Sequence, residues 1–153
     1  MKIAIGCDHG GFKLKSELIK FLKRSNHTVK DFGSFTDESC DYPIFSYEVS
    51  KAVSCGRFKR GVLICKTGIG MAIAANKVNG VRAAVIHDLE SAVSSREHND
   101  CNVIVFGSRF IKQKKAKEIL KAWFKARALK GRHRRRVGQM KKIEMEKRFS
   151  GGR

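Results

Sequence analysis

Short, continuously apolar runs recur along this chain, and they constrain its fold more than any other feature. The five runs are 3–7, 28–32, 62–65, 82–86 and 102–106. Continuous apolar character over four or five residues fits strands that are covered on both faces, as in a parallel sheet. Segments with helical periodicity separate the runs, so we expect strand-then-helix units joined by right-handed crossovers. The predicted fold is α/β, a Rossmann-like three-layer α/β/α sandwich with a five-stranded parallel sheet.

The helical segments differ in how clearly they repeat. Two carry apolar stripes at i, i+4 and i+7 with lysines on the opposite face, over 14–22 and 116–124. Three less periodic helices are expected over 44–55, 70–78 and 88–97. The methionine and aromatic members of the stripes are interpreted as core residues.

Beyond Phe124 the chain becomes strongly basic. A thin apolar seam follows Gly131 and consists of Val137, Met140 and Ile143. Such a seam is too narrow to fold alone, so we expect a C-terminal helix that packs on a partner subunit. We therefore assign 1–130 to an α/β domain and 131–153 to a basic loop and helix, which belong to the same domain and to a dimer interface. The expected assembly is a homodimer or homotetramer with shared active sites.

Composition excludes several classes of protein. No stretch approaches the roughly 20 apolar residues that span a bilayer, and the first six residues lack the apolar core of a signal peptide. We therefore expect a cytoplasmic protein without a membrane partner. The five cysteines include no Cys-x-x-Cys pair, so neither a disulfide framework nor a zinc site is predicted.

The net charge of +19 is concentrated near the C-terminus. Residues 109–153 hold 18 of the 33 Lys and Arg but only 3 of the 14 Asp and Glu. Such a block suggests an anionic partner, which could be nucleic acid, a membrane surface or an acidic ligand. Within it, Arg132 and Arg136 are four residues apart and could form a fork for phosphate or simply a solvated helix end. The sequence has no helix-turn-helix signature, and aromatic residues are not interleaved with the basic ones in the loop. Both observations count against nucleic-acid binding.

Polar residues gather where the predicted strands end, which is where open parallel sheets bind ligands. Four turns contribute, at 7–11, 65–70, 87–88 and 107–109. His98 and Asn99 do not fit this edge, because they lie between the fourth helix and the fifth strand. If His98 is catalytic, we expect a neighbouring subunit to deliver it.

Cys65 is the leading candidate for chemistry, because it ends an apolar run and precedes a glycine-containing turn that opens a helix. Backbone N–H groups and the helix dipole at such a turn stabilise a thiolate and hold an anionic oxygen. Taken singly, Cys65 could be an inert buried thiol, Thr67 a helix cap and Asp8 a turn former. His98 alone could be a helix-end residue stabilised by the dipole.

Seven short motifs occur in order from about residue 2 to about residue 147, and together they resemble the ribose-5-phosphate isomerase B family. The motifs are Cys7-Asp8-His9, Asp41-Tyr42-Pro43, Cys65 with Thr67-Gly68-Ile69-Gly70, Ala74-Ala75-Asn76-Lys77, Arg96-Glu97-His98-Asn99-Asp100, Phe106-Gly107-Ser108-Arg109 and Gly131-Arg132-His133-x-x-Arg136. The related galactose-6-phosphate isomerase subunits share much of the pattern. Cys65, Thr67, His98 and the two tail arginines favour the pentose enzyme.

The resemblance implies an aldose-ketose isomerase, an intramolecular oxidoreductase that interconverts ribose 5-phosphate and ribulose 5-phosphate in the pentose phosphate pathway without a metal or cofactor. By similarity, His98 opens the furanose ring, Cys65 moves a proton between C2 and C1, and Thr67 shuttles or steadies a hydroxyl proton. The substrate-binding residues it implies are Asp8, His9, Tyr42, Lys66, Thr67, Gly68, Ile69, Gly70, Asn99, Arg109, Arg132 and Arg136. The alternatives are a galactose-6-phosphate or allose-6-phosphate isomerase and, from another class, a nucleic-acid-binding protein on a vestigial isomerase scaffold.

Lys66 departs from the family pattern, which usually has glycine at this position. A side chain there adds bulk beside the anion cradle and is strained if the backbone needs positive φ. Its ammonium group would favour the thiolate form of Cys65. We therefore expect an active enzyme with an altered pH profile.

Overall fold

Strands and helices alternate along the chain in the order that the apolar runs predict. The computed structural model describes the backbone of residues 1–150 and the side chains of residues 1–146. The strands are β1 Lys2–Cys7, β2 Thr28–Asp31, β3 Arg60–Cys65, β4 Ala83–Val85 and β5 Val103–Gly107. The helices are α1 Phe12–Arg24, α2 Tyr42–Ser54, α3 Ile69–Ala75, α4 Leu89–Glu97, α5 Gln113–Lys125 and α6 Arg132–Ser150. The predicted strands and helices are confirmed, with bounds that differ by a few residues.

The sheet is parallel, and its strand order is β2-β1-β3-β5-β4. The chain moves from β1 outward to β2 and then returns across β1 to β3, so the direction of winding reverses between β1 and β3. Open parallel sheets bind ligands at the carboxyl edge beside such a reversal. Cys7 pairs with Ile64 in register, which brings Cys65 to the same edge as the turn after β1.

Helices cover both faces of the sheet, and alternate strand residues point into different helical layers. Cys7 and Ile64 face the layer formed by α1, α4 and α5, where Trp123 is fully buried. Cys65 faces the opposite layer, formed by α2 and α3. Burial on both faces explains why β1, β3 and β5 are almost continuously apolar, whereas the edge strand β2 is partly exposed and carries Lys30 and Asp31. The two thiols that end β1 and β3 therefore have different surroundings.

A buried ion pair fixes the loop that follows β2. Lys15 is 1% exposed, and its ammonium nitrogen lies 2.8 Å from both carboxylate oxygens of Asp31. The same ammonium donates to the backbone oxygen of Ser34 at 2.6 Å. Buried charges require such partners. The Ser34 N–H in turn donates to the backbone oxygen of Cys7, so the loop is held at the carboxyl end of β1.

Helix α6 begins directly after Gly131, whose φ of +63° marks the predicted turn. Val137 is 9% exposed against its own chain, whereas Ile143 is 53% exposed. The carboxylate of Glu144 accepts the N–H of Gly80 at 3.1 Å. The predicted apolar seam is thus only partly covered by the chain itself, and packing on a partner stays a prediction.

Some simple exclusions follow from the described residues. None of the helices in residues 1–150 combines the length and the apolar character that crossing a membrane requires. Within those same residues, no cluster of three or more His, Cys, Asp or Glu side chains could hold a metal ion. The five cysteines are all free thiols.

Candidate active site

The thiol of Cys65 lies at the carboxyl end of β3 and is 5% exposed. Its Sγ accepts the backbone N–H of Gly68 at 3.0 Å. Gly68 has φ +83°, a left-handed conformation that glycine adopts without strain, and it is the N-cap of α3. This conformation turns the N–H towards the sulfur. A hydrogen bond from a backbone N–H favours a thiolate over a thiol.

The first turn of α3 continues this site. The Thr67 hydroxyl oxygen accepts the N–H of Ile69 at 3.4 Å, and its hydroxyl hydrogen stays available to another group. Thr67 precedes the N-cap Gly68, so it is not itself the helix cap. The ring of Tyr42 lies against Gly70, where an added Cβ would be 2.6 Å from the ring. Tyr42 is 39% exposed and forms one wall beside the turn.

The turn after β1 supplies a carboxylate and an imidazole. Asp8 is 6% exposed, and its Oδ1 accepts the N–H of Gly11 at 3.1 Å, which confirms its role as a turn former. The Nδ1 atom of His9 accepts the backbone N–H of Cys40 at 3.3 Å. A neutral imidazole that accepts at Nδ1 carries its hydrogen on Nε2. His9 can therefore donate a hydrogen bond to an anion.

The turn after β5 joins the other two turns through its backbone. The N–H of Ser108 donates to the oxygen of Cys65 at 2.9 Å, and the N–H of Arg109 donates to the oxygen of Lys66 at 3.1 Å. The Ser108 hydroxyl donates to the oxygen of Gly10 at 2.6 Å. The three turns thus form one connected edge, and the Arg109 side chain is exposed there.

Lys66 fits this edge without backbone strain. Among the described residues, the non-glycine residues with positive φ are Asn26 and Asp100, so the strain considered for Lys66 does not occur. Its Cβ lies beside Gly10, where an added Cβ would be 3.3 Å away. The side chain is exposed, which leaves its ammonium group in solvent contact.

The structure divides the predicted site residues into two groups. The group at the carboxyl edge consists of Asp8, His9, Tyr42, Cys65, Lys66, Thr67, Gly68, Ile69, Gly70 and Arg109. The second group, at the other end of the sheet, consists of His98, Asn99, Arg132 and Arg136. His98 is the C-cap of α4, and the carbonyl of Asn99 is held by Arg82, which precedes β4. The predicted position of His98 at the amino end of the sheet is confirmed.

The second group surrounds a pair of stacked imidazoles. The rings of His98 and His133 are 4.3 Å apart with an interplanar angle of 11°. They line a cavity of about 340 Å³ together with Lys130 and Arg134. The side chains of Arg132 and Arg136 project from the first turns of α6 and are exposed.

Two residues illustrate how surroundings tune the titratable groups. Burial raises the pKa of the Cys7 thiol to about 12, so Cys7 stays a thiol at neutral pH. Burial, and then the positive charges of His98, Arg132 and Arg136, lowers the pKa of His133 below its usual value. Cys7 is thus a buried core thiol.

Sequence reasoning missed residues that hold the site rather than form it. Cys40 was not among the predicted site residues, yet its N–H orients His9. Because the contact is made by a backbone N–H, the identity of the residue at position 40 could not indicate it. Arg82 and Asp100 form an ion pair with a 2.9 Å separation beside His98. Their opposite charges are 18 positions apart, so only the fold reveals the pairing.

A parallel α/β sheet with a hydrogen-bonded thiol and polar side chains at its winding reversal defines a class of proteins that bind small polar ligands. The family model described as Ribose/Galactose Isomerase matches residues 3–140. The chain belongs to this family.

Individual relatives agree over almost their full length. Ribose-5-phosphate isomerase B of Escherichia coli strain K12 is 45% identical over 146 residues, which cover 95% of this chain and 98% of the relative. The solved Clostridium thermocellum Ribose-5-Phosphate Isomerase B superposes with a TM-score of 0.94 at 48% identity, covering 95% of this chain and 99% of that one. The Mycoplasma genitalium Ribose-5-phosphate Isomerase B with bound Ribulose-5-phosphate gives 0.91 at 36% identity, with 95% and 97% covered.

Proposed function

We propose that this chain interconverts ribose 5-phosphate and ribulose 5-phosphate. The observation that carries the proposal is the hydrogen bond from Gly68 N–H to Cys65 Sγ at the winding reversal of the sheet. A thiolate held in this way is a base beside a set of backbone donors. The relatives named above support the five-carbon substrate over a six-carbon one.

Cys65 carries the proton transfer in this proposal. Its thiolate removes the C2 proton of the open-chain aldose, and the electron pair moves to form the enediolate with negative charge on O1. The Thr67 hydroxyl passes the O2 proton to O1, which moves the negative charge to O2, and the C2 carbonyl forms as C1 is protonated. The Cys65 thiol then returns its proton to C1. Backbone N–H groups around Gly68 and Gly70 stabilise the enediolate oxygen.

Charged side chains at both ends of the pocket hold the substrate. The Nε2–H of His9 and the guanidinium of Arg109 bind the phosphate from the carboxyl edge, joined by Arg132 and Arg136. The carboxylate of Asp8 and the side chains of Asn99, Tyr42, Lys66 and Ile69 line the sugar. No metal or organic cofactor is required for this chemistry.

His98 opens the furanose ring by taking the O1 proton and protonating the ring oxygen. Within one chain it lies at the opposite end of the sheet from Cys65, so the complete site requires His98 from a second copy. Exposed apolar side chains on α2 and α3 support this assembly, because they surround the Cys65 turn and offer a surface for the partner. They are Tyr42, Ile44, Tyr47, Ile69 and Ile73. In this proposal residues 131–153 extend the 1–130 domain into the dimer interface.

We assign the enzyme to the cytoplasm as a homodimer or a homotetramer, where it serves the pentose phosphate pathway. The test is an assay of the purified protein with ribose 5-phosphate, galactose 6-phosphate and allose 6-phosphate in parallel. Turnover of the five-carbon sugar in preference to the others is expected. No turnover of ribose 5-phosphate, or a clear preference for a six-carbon sugar, would overturn the proposal.

Two inactive variants test the shared site. Mixing Cys65→Ala chains with His98→Ala chains gives heterodimers in which one site has both native residues. With random exchange, roughly a quarter of wild-type activity returns in a dimer with isologous contacts. If exchange is demonstrated by mass and no activity returns, each chain holds its own complete site.

A proton-exchange measurement separates the roles of the two residues. Ribulose 5-phosphate has no ring to open, so exchange of its C1 proton with solvent deuterium needs Cys65 but not His98. A His98→Asn variant should therefore keep deuterium incorporation at C1 while losing isomerisation of ribose 5-phosphate. A Cys65→Ala variant should lose both reactions. Loss of C1 exchange in His98→Asn would contradict the assigned roles.

A further inference from the structure

The guanidinium of Arg82 grips the two residues that follow His98. Its Nε donates to the backbone oxygen of Asn99 at 3.1 Å and to that of Asp100 at 3.0 Å. Its Nη2 lies 2.9 Å from the Asp100 carboxylate. Arg82 is 15% exposed, so these contacts are only partly screened by solvent. One side chain thus holds both the backbone and the carboxylate of this turn.

Asp100 needs such a grip because its backbone is unusual. Its φ is +47°, which a non-glycine residue adopts only with strain. Its second carboxylate oxygen is 2.7 Å from Arg96 Nη1, and the Arg96 side chain is 5% exposed. The Arg96 guanidinium lies over the Trp123 ring at 5.7 Å. Two arginines that share one carboxylate therefore fix the direction in which the chain leaves His98.

The same cluster reaches helix α6 through the loop before β4. The Asn102 side-chain amide donates to the oxygen of Gly80 at 2.8 Å, and its Oδ1 accepts the N–H of Arg82 at 2.8 Å. The N–H of Gly80 donates to Glu144 of α6 at 3.1 Å. Arg82 therefore belongs to a continuous set of hydrogen bonds that connects the His98 turn to the helix carrying Arg132.

We propose that Arg82 is a positioning residue, which sets His98 and Asn99 in a fixed relation to the arginines of α6. This role rests on the proposed isomerase function and extends it. A planar guanidinium makes the three contacts at once, whereas the ammonium of a lysine cannot match that geometry. Arg82 itself touches no substrate, since it acts through the turn that it holds.

The test compares Arg82→Lys with Arg60→Lys. Arg60 is a suitable control because it is half-buried, lies at the same end of the sheet and approaches the same Trp123 ring at 5.7 Å, yet no hydrogen bond joins it to residues 98–100. Both variants are assayed for ribose 5-phosphate isomerisation, for deuterium exchange at C1 of ribulose 5-phosphate and for their thermal midpoint. Assays are run well below each variant's own midpoint.

Arg82→Lys should lower isomerisation by about 10- to 100-fold, the scale of a small misplacement of a catalytic group. Its C1 exchange, measured at saturating ribulose 5-phosphate, should stay close to wild type, because the proton transfer itself uses Cys65 at the opposite end of the sheet. Arg60→Lys should keep both. Asp100→Asn, which removes the shared carboxylate, should repeat the Arg82→Lys result and serves if Arg82→Lys does not fold.

Two results would overturn the positioning role. One is Arg82→Lys isomerising as well as Arg60→Lys. The other is equal loss of isomerisation and C1 exchange, which indicates general damage to the fold. A wild-type protein that fails to isomerise ribose 5-phosphate overturns the proposed function, and the positioning role falls with it. The wild-type assay therefore distinguishes the two failures.

Discussion

The two ends of the sheet are built differently, although both carry residues of the proposed site. At the carboxyl edge, Cys65 is buried and already receives its hydrogen bond from Gly68. At the amino end, His98 and Arg132 are exposed and face solvent in a single chain. One chain thus presents a buried, hydrogen-bonded thiol at one end of the sheet and solvent-exposed site candidates at the other. In the proposed assembly these two ends are half-sites, and two copies of the chain combine them into one site.

Replacement of Cys65 by serine should have the largest effect on activity, and it tests the proposed base at the carboxyl edge of the sheet. Serine keeps a small acceptor for Gly68 N–H but is a far weaker base, so isomerisation should fall by about 10²- to 10⁴-fold. Cys55→Ser is the matched control, since Cys55 is exposed and its thiol, whose pKa is lowered by hydrogen bonding with Arg57, has no part in the proposed site. Steady-state kinetics on ribose 5-phosphate measure both. Equal activity in the two variants would place the base elsewhere.

Replacement of Gly68 by alanine should perturb the same carboxyl edge by changing the backbone conformation of the Cys65 turn. Its φ of +83° disfavours a side chain, and an added Cβ would lie 3.0 Å from Val85. We expect a loss of about 1–3 kcal/mol in the free energy of unfolding. The displaced N–H should lower turnover by about 10²-fold. Denaturant titration and kinetics measure these effects, and Gly56→Ala is the control, because Gly56 has a similar φ of +75° and open space around it. Unchanged turnover would exclude Gly68 as a donor.

Acidification should destabilise the end of the sheet that holds His98 and His133 before it affects the Cys65 turn. The folded state disfavours protonation of His133, because its pKa is lowered by burial and by neighbouring positive charges. The unfolded chain then binds more protons, so stability present above pH 6.5 or so is lost as the pH falls further. The thermal midpoint should drop on acidification, and the drop should shrink in His133→Gln.

His27 provides the control for that measurement. Its pKa is lowered by burial and by the N-terminal ammonium, so it contributes to the pH dependence in the same direction. His27→Gln should remove the contribution of His27 to the pH dependence of the thermal midpoint and leave the contribution of His133. If His133→Gln and wild type lose stability equally on acidification, the stacked imidazoles do not report on pH.

Replacement of Lys66 by glycine should have the smallest effect. Loss of the ammonium removes a positive charge next to Cys65 in the chain, so the rate–pH profile should move to higher pH. The Lys66 side chain is exposed and screened by solvent, so the shift should be small. Lys66→Met, which keeps the bulk, should give the same shift. An unchanged profile in both variants would remove Lys66 from the electrostatics of the site.

The sequence predicts the fold well because its signals are local. The buried strands are continuously apolar, and the helices between them have amphipathic periodicity, so the elements could be placed to within a few residues. The Cys65 turn was equally legible, since a thiol, a glycine and a helix start are adjacent in sequence.

The features of the fold and the site that were not predicted depend on contacts between residues that are distant in sequence. The strand order decides which turns meet, and periodicity carries no information about it. The stacking of His98 on His133 joins residues 35 positions apart, and His133 had been assigned no role. The φ of Lys66 was left conditional, because backbone conformation at a non-glycine residue is set by the surrounding turns.

Trp123 is the only tryptophan in the chain, and it lies fully buried with the guanidinium groups of Arg60 and Arg96 each 5.7 Å from its ring centroid. Its indole therefore serves as a built-in fluorophore for the end of the sheet that holds His98. Any movement of the Arg96 guanidinium away from the ring would alter the polarity around the indole and shift its fluorescence emission. In the proposed assembly, the association of two copies at this end of the sheet can be followed through this emission without a label.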